Sequence, residues 1–272
     1  METIIILIIS ILPVYLLGIY IYKKDNNKEP KALLKKLFIY GMISCIPAGI
    51  IEITIGPIFG EEETMDLITL FFYVLISVGF VEEICKWFIV KKVAYNHSDF
   101  DELYDAIVYC VFVSLGFACL ENVLYVFDSG IVVGLIRAVT AIPGHASDAI
   151  IMGNYLGLAK LADINGNKRL YKKNVMLSII VPSLAHSIYD FCLFTESTFF
   201  VLVFFIFLIF IYVYSFKKIK RVSSERKRIY NDDNTNYLEN NTSQLFKYCP
   251  NCGTKTYGNF CHNCGSNLSL NK

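Results

Sequence analysis

Residues 67–90 read LITLFFYVLISVGFVEEICKWFIV. This run is long and apolar enough to form a helix that crosses a bilayer, which takes about 20 residues. It nevertheless contains Glu82, Glu83 and Lys86. Charged residues within a membrane span are costly, and they usually face a protein interior or a water-filled cavity. The segment therefore predicts a membrane protein that has a polar site inside the bilayer.

Six further apolar segments have the length of a membrane span. They are Thr3–Tyr22, Leu34–Ile55, Leu103–Phe127, Ile131–Leu158, Asn174–Phe194 and Thr198–Phe216. Backbone polar groups in lipid must be paired within their own segment, so each span should be a helix. We expect an all-α membrane protein, with about seven transmembrane helices in a domain of residues 1–216.

The loops between these segments alternate in charge. Lys and Arg follow the first, third, fifth and seventh segments, whereas residues 61–66 after the second segment are acidic. Basic loops mark the cytoplasmic side of a membrane. With seven spans, all four basic loops lie on that side if the N-terminus is outside. This predicts a multi-pass protein of the cell membrane with a cytoplasmic C-terminal tail.

The composition agrees with this class of protein. The chain of 272 residues is 55% hydrophobic and 18% charged, and its mean hydropathy is +0.49. Such a balance excludes a disordered chain, which combines low hydrophobicity with high net charge. The net charge of +1 gives no indication of nucleic-acid binding.

Four cysteines occur close together in the polar tail. Cys249 and Cys252 form one C-x-x-C pair, and Cys261 and Cys264 form a second. Two such pairs can place four thiolates around one zinc ion, and a shell of four protein ligands is typical of structural zinc. We therefore predict a small cytoplasmic zinc ribbon at residues 248–272, after a polar linker at residues 217–247. A redox dithiol pair is the alternative, and a cytoplasmic protein partner of the ribbon is left open.

Ionisable residues also occur in three later spans. These are Glu121 in the fourth span, Arg137, His145 and Asp148 in the fifth, and His186 and Asp190 in the sixth. At 1.5 Å per residue from the cytoplasmic ends, Glu82, His145 and His186 come to similar depths, whereas Glu121 lies nearer the outer face. Pro143 and Pro182 precede the two histidines and are expected to open the helices there.

This set of residues suits several kinds of chemistry. A carboxylate beside a histidine can activate water as a general base and then protonate a leaving amine. Two histidines and a carboxylate are also common ligands of catalytic zinc, so both metal-free and metal-assisted hydrolysis remain open. Membrane carboxylates and histidines serve proton relays as well. An ion- or proton-coupled transporter and a non-catalytic membrane scaffold are therefore the alternatives.

Four short motifs follow one another on consecutive spans: EEICK at 82–86, ENVLY at 121–125, Arg137 with His145, and HSIYD at 186–190. In order and spacing, residues 67–194 resemble the PrsW family of intramembrane proteases, which are related to CAAX prenyl proteases and bacteriocin-processing membrane proteases. Family members are described as metalloproteases. The resemblance implies site-1 cleavage of a membrane-anchored anti-sigma factor in a stress response. The implied partners are thus the lipid bilayer and a single-pass membrane protein substrate.

The same resemblance implies roles for individual residues. The residues that it assigns to catalysis are Glu82, Glu83, Glu121, His145, His186 and Asp190. The two adjacent glutamates would be the catalytic carboxylates, and the two histidines would act as bases or as metal ligands. The aspartate would orient His186 or stabilise the oxyanion. A catalytic metal would take Glu83, His145 and His186 as ligands.

Overall fold

The structure is a computed structural model that describes residues 2–61, 64–195, 197–225, 229, 247–248, 255–256 and 263. The chain forms two compact units, Met1–Ile229 and Tyr230–Lys272. The described part of the first unit is a bundle of α-helices, and it contains every membrane segment predicted above.

The bundle contains nine α-helices within the described residues. They are α1 (Glu2–Lys24), α2 (Lys31–Ile55), α3 (Leu67–Tyr73), α4 (Phe80–Val93), α5 (Leu103–Ser129), α6 (Ile131–Val139), α7 (Ala141–Ile164), α8 (Lys168–Phe194) and α9 (Thr198–Glu225). A 3₁₀ turn at Gly56–Phe59 follows α2. A π-helical turn at Val74–Gly79 joins α3 directly to α4. The expectation of a largely helical protein is confirmed for these residues.

Five helical stretches of the described chain are long and apolar enough to cross a bilayer. They are Lys31–Phe59, Leu67–Val93, Leu103–Ser129, Lys168–Phe194 and Thr198–Glu225. They support a multi-pass membrane protein. The two other predicted segments are helical as well: one forms α1, and the other forms the pair α6–α7. Neither is among the five stretches, so seven spans and an N-terminus on the outside remain predictions.

The predicted continuous span Ile131–Leu158 is wrong in one respect, because the helix is interrupted at Thr140. Pro143 has no N–H to donate to the carbonyl of Val139, and its ring clashes with that carbonyl in a continuous helix. The chain therefore ends α6 at Val139 and starts α7 at Ala141, where Pro143 lies in the first turn. A proline is tolerated there because the first N–H groups of a helix have no intrahelical acceptor.

Close helix packing places α4 beside α8. A Cβ atom on Gly79 would stand 2.9 Å from the carbonyl oxygen of Ser183 in α8, so only glycine permits this approach. Glu83 lies one turn after Gly79, and His186 lies about one turn after Ser183. The contact therefore brings these two side chains to the same level.

Helices α5 and α7 form the centre of the bundle: α5 packs mainly against α2 and α7, and α7 also packs against α8. The described part of the second unit contains two short strands, β1 (Lys247–Tyr248) and β2 (Lys255–Thr256). They pair antiparallel, with Lys247 opposite Thr256 and Tyr248 opposite Lys255. The predicted zinc ligands Cys249, Cys252, Cys261 and Cys264 lie outside the described residues.

Candidate active site

Two glutamates of α4 share one ammonium group. The Nζ atom of Lys86 donates to Glu82 Oε2 at 2.9 Å and to Glu83 Oε1 at 2.7 Å. The spacings i,i+4 and i,i+3 put both acids on the helix face of the lysine. All three side chains are buried, and the ammonium also lies 4.2 Å from the ring centre of Phe117. This helix thus carries its own counter-ion into the bundle.

His186 of α8 joins the same group of side chains. Its Nδ1 lies 3.0 Å from Glu83 Oε1, and its Nε2 lies 3.1 Å from Asp190 Oδ2. Asp148 of α7 approaches Nδ1 less closely, at 3.8 Å. The imidazole is therefore surrounded by carboxylates from three different helices.

His145 of α7 occupies the other side of the lysine. Its Nδ1 lies 3.1 Å from Lys86 Nζ, and its Nε2 lies 2.7 Å from Glu121 Oε2. An ammonium group has no acceptor, so it donates to Nδ1 and the ring proton on Nε2 points to Glu121. Arg137 Nη2 pairs with the other oxygen of Glu121 at 2.9 Å. Arg137, which the sequence analysis did not assign to catalysis, thus belongs to the network.

Four of these side chains could hold a metal ion. Ligand atoms of Glu82, Glu83, His145 and His186 all lie within 4.8 Å of one another. Imidazole and carboxylate are the donors that catalytic zinc takes in proteins. The Oε2 atom of Glu83 is buried and has no hydrogen-bond partner among the described residues, so it is free to coordinate. The donor set therefore fits a catalytic divalent metal.

A cavity of about 750 Å³ borders this group of residues. Four carboxylates lie at the end of the cavity near this group, those of Glu52, Glu82, Glu121 and Asp190. The cavity extends from them to the connection between α2 and α3, whose lining residues are Gly56, Pro57, Gly60, Glu61 and Met65. An apolar cavity with a few convergent polar groups is the usual form of a ligand site.

The structure brings all six residues assigned to catalysis into one connected group. Lys86, Arg137 and Asp148, which had been left outside that set, belong to the same network. Sequence reasoning missed Glu52, which lines the cavity from α2. The signal was present, since Glu52 is an acid inside the predicted span Leu34–Ile55.

Comparisons with known proteins identify the family of this chain. The family model described as PrsW family intramembrane metalloprotease matches residues 29–215. A protein named Protease PrsW from Oceanobacillus iheyensis is 36% identical over 218 residues, covering 80% of this chain and 96% of that protein. Protease PrsW from Bacillus subtilis is 36% identical over 206 residues, covering 75% and 89%. Protease PrsW from Clostridioides difficile is 28% identical over 228 residues, covering 82% and 93%.

No solved structure matches the chain, so the family assignment rests on sequence similarity. The matched range of residues 29–215 spans α2 to α8, the helices that carry the buried network. The transporter alternative gains no support from these relatives. The chain belongs to the PrsW family of intramembrane metalloproteases.

Proposed function

We propose that Glu82, Glu83, His145 and His186 form the catalytic centre, and that it hydrolyses a peptide bond of a single-pass membrane protein. The observation that carries this proposal is the convergence of their ligand atoms within 4.8 Å, beside a cavity of about 750 Å³. Buried acids and bases from separate helices are costly in a membrane, and such groups mark functional sites.

The position of each side chain suggests its part in hydrolysis. Glu82 lies in the cavity wall, so it can accept a proton from the water that attacks the scissile carbonyl carbon. The leaving amine then takes up that proton. Glu83 is fully enclosed and contacts His186, so it orients the imidazole. Asp190 positions His186 from the other ring nitrogen.

A divalent metal held by Glu83, His145 and His186 would keep a position open for water, polarise the scissile carbonyl and lower the pKa of that water. Lys86 contacts Glu82, Glu83 and His145, and it neutralises the charge of the paired acids. His145 is held in place by Glu121, which is held in turn by Arg137. The surrounding network thus fixes the orientation of both histidines before substrate binds.

The cavity suggests how substrate reaches this centre. Gly49, Gly56 and Gly60 lie in its wall, and a Cβ on Gly49 would meet nothing within 4 Å. Small residues leave room for a polypeptide backbone beside α2. We propose that an unwound part of a transmembrane substrate enters from the α2–α3 connection. The anti-sigma factor implied by the resemblance is the proposed substrate, with site-1 cleavage as the proposed reaction.

The tail and the topology complete the proposal. We propose seven spans, an outside N-terminus and a cytoplasmic tail with a structural zinc ribbon that suits a protein partner. The alternation of loop charge supports the topology. The antiparallel strands on either side of the first C-x-x-C pair support the ribbon. Zinc analysis of the full chain and of Cys249→Ser tests it, since that variant should lose one zinc ion.

The central experiment uses the full chain in liposomes with a candidate anti-sigma factor. We expect Glu83→Gln to lower the cleavage rate at least about a hundredfold, because the amide cannot replace the carboxylate that orients His186. Glu61→Gln is the matched control, since Glu61 lines the same cavity at its far end and is exposed. Its cleavage rate should stay close to that of the wild type.

Cleavage that persists in Glu83→Gln would remove the cluster from the mechanism. A wild-type chain that cleaves no single-pass protein, although it is folded and carries its metal, would favour the scaffold alternative. Cleavage of another membrane protein, with the anti-sigma factor left intact, would keep the catalytic centre and replace the substrate.

A further inference from the structure

A second group of buried acids lies outside the catalytic network. Asp25 and Glu29 belong to the connection between α1 and α2, and Asp105 lies in the first turn of α5. Each of the three residues is at most 2% exposed. One oxygen from each of them lies within 4.8 Å of the others. Three carboxylates from two segments of the chain therefore converge on one point.

Among the described residues, these acids have no cationic partner, since no nitrogen of a Lys, Arg or His side chain lies within 4.0 Å of the three carboxylates. Lys28, which directly precedes Glu29, donates instead to the backbone carbonyls of Tyr22 and Asp25. Burial accordingly raises the pKa of Glu29 to about 7 and raises the pKa of Asp25 above its usual range.

Hydrogen bonds satisfy only part of the group. Asp25 Oδ1 accepts the backbone N–H of Asn27, Asp105 Oδ2 caps α5, and Glu29 Oε2 accepts the hydroxyl of Tyr109. Asp25 Oδ2 and Asp105 Oδ1 are buried and have no hydrogen-bond partner among the described residues. A buried carboxylate oxygen without a partner is costly. The two free oxygens belong to two of the three side chains that converge.

We propose that Asp25, Glu29 and Asp105 bind a calcium ion that fastens the α1–α2 connection to the start of α5. An all-oxygen set selects a hard cation over zinc, which prefers nitrogen and sulfur. Calcium accepts six to eight oxygen ligands in a flexible geometry, whereas magnesium demands a near-ideal octahedron and usually binds one or two carboxylates with several waters. Three converging protein carboxylates therefore suit calcium better than magnesium.

The chain that follows α9 contacts the same region as the three acids. Ile229 is buried, and its backbone N–H donates to the carbonyl of Asp101 at 2.7 Å. Asn26 donates to the carbonyl of Ser223 in α9 at 2.9 Å. The backbone N–H of Asp101 in turn donates to Asp105. A calcium ion here would hold together the α1–α2 connection, α5 and the chain that leaves α9.

Equilibrium dialysis with radioactive calcium tests the proposal on the full chain in detergent. We expect one saturable calcium site, and a loss of affinity of about tenfold or more in Glu29→Gln and in Asp25→Asn, because each variant removes one ligand charge. Both amides keep an oxygen that can accept the native hydrogen bond. Asp99→Asn is the matched control, because Asp99 lies near the cluster but is exposed, and its calcium affinity should match that of the wild type.

The melting temperature, Tm, is a second measurement, and it shows whether a variant is still folded. Calcium should raise the Tm of the wild type and of Asp99→Asn, and it should raise the Tm of the two cluster variants much less. Saturable binding of equal affinity in all four proteins would overturn the proposal. So would the absence of saturable binding to the wild type, because the acids would then be neutralised by protons alone.

Discussion

The two buried acidic clusters of this chain differ in how their charge is compensated. The proposed catalytic cluster on α4, α7 and α8 includes Lys86, which pairs with both of its glutamates. The cluster of Asp25, Glu29 and Asp105 has no such side-chain partner in the described chain. A buried charge costs several kcal/mol unless it is paired. The first cluster can therefore exist as a folded, charged site by itself, whereas the second requires a cation or protons from solution.

The largest expected effect tests whether Lys86 is the counter-ion that compensates the charge of Glu82 and Glu83. We expect Lys86→Met to lower the free energy of unfolding by about 3–5 kcal/mol, since it leaves two buried glutamates without their cation. The measurement is a denaturant titration of the purified protein in detergent. Lys217→Met is the control, because Lys217 is exposed at the end of α9. Equal midpoints for Lys86→Met and the wild type would show that the acids are neutralised in another way.

A smaller effect concerns the cavity, which borders only the catalytic cluster. Gly49→Leu should fill part of the cavity without a clash, because a Cβ at this position meets no atom within 4 Å. We expect kcat/KM for a single-pass substrate to fall about tenfold or more, because a displaced substrate loses its reactive geometry. The Tm should not fall, and Gly49→Ala should cleave at nearly the wild-type rate. Unchanged cleavage by Gly49→Leu would place the substrate path elsewhere.

The smallest expected effect is a gain in stability, whereas most mutations lower the free energy of unfolding. In a buffer that contains a calcium chelator, Glu29→Gln should raise the free energy of unfolding by about 1 kcal/mol, because it removes an unpaired buried charge. With saturating calcium the wild type should become the more stable protein. Thermal unfolding of both proteins, with Asp99→Asn as control, measures the change. A loss of stability in both buffers would mean that Glu29 is already compensated within the chain.

The sequence alone was sufficient to predict the features that depend on the local pattern of residues. Runs of apolar residues predicted the membrane helices, because the length of a span is set by the bilayer. Charged residues inside those runs singled out Glu82, Glu83, His145 and His186. The break at Thr140 was within reach as well, since Pro143 removes a hydrogen bond of any continuous helix. The sequence analysis expected Pro143 to open one span, and it missed the division into two helices because the apolar run continues through Thr140.

Contacts between helices could not be derived in this way. Nothing in the local pattern indicates that Lys86 reaches His145, that Arg137 pairs with Glu121 or that Glu52 faces the same cavity. The cluster of Asp25, Glu29 and Asp105 could not be predicted for the same reason, since Asp25 and Asp105 are eighty residues apart in the chain. Each contact depends on the rotation of one helix relative to another, which close approaches such as that of Gly79 to Ser183 determine.

The amino-acid sequence by itself determined that this protein enters a membrane and carries acids and histidines there, because hydrophobicity and charge are properties of each residue. Only the tertiary structure decided which of those groups touch. The distances between side chains on different helices depend on how the whole bundle packs, and packing is a property of all the helices together.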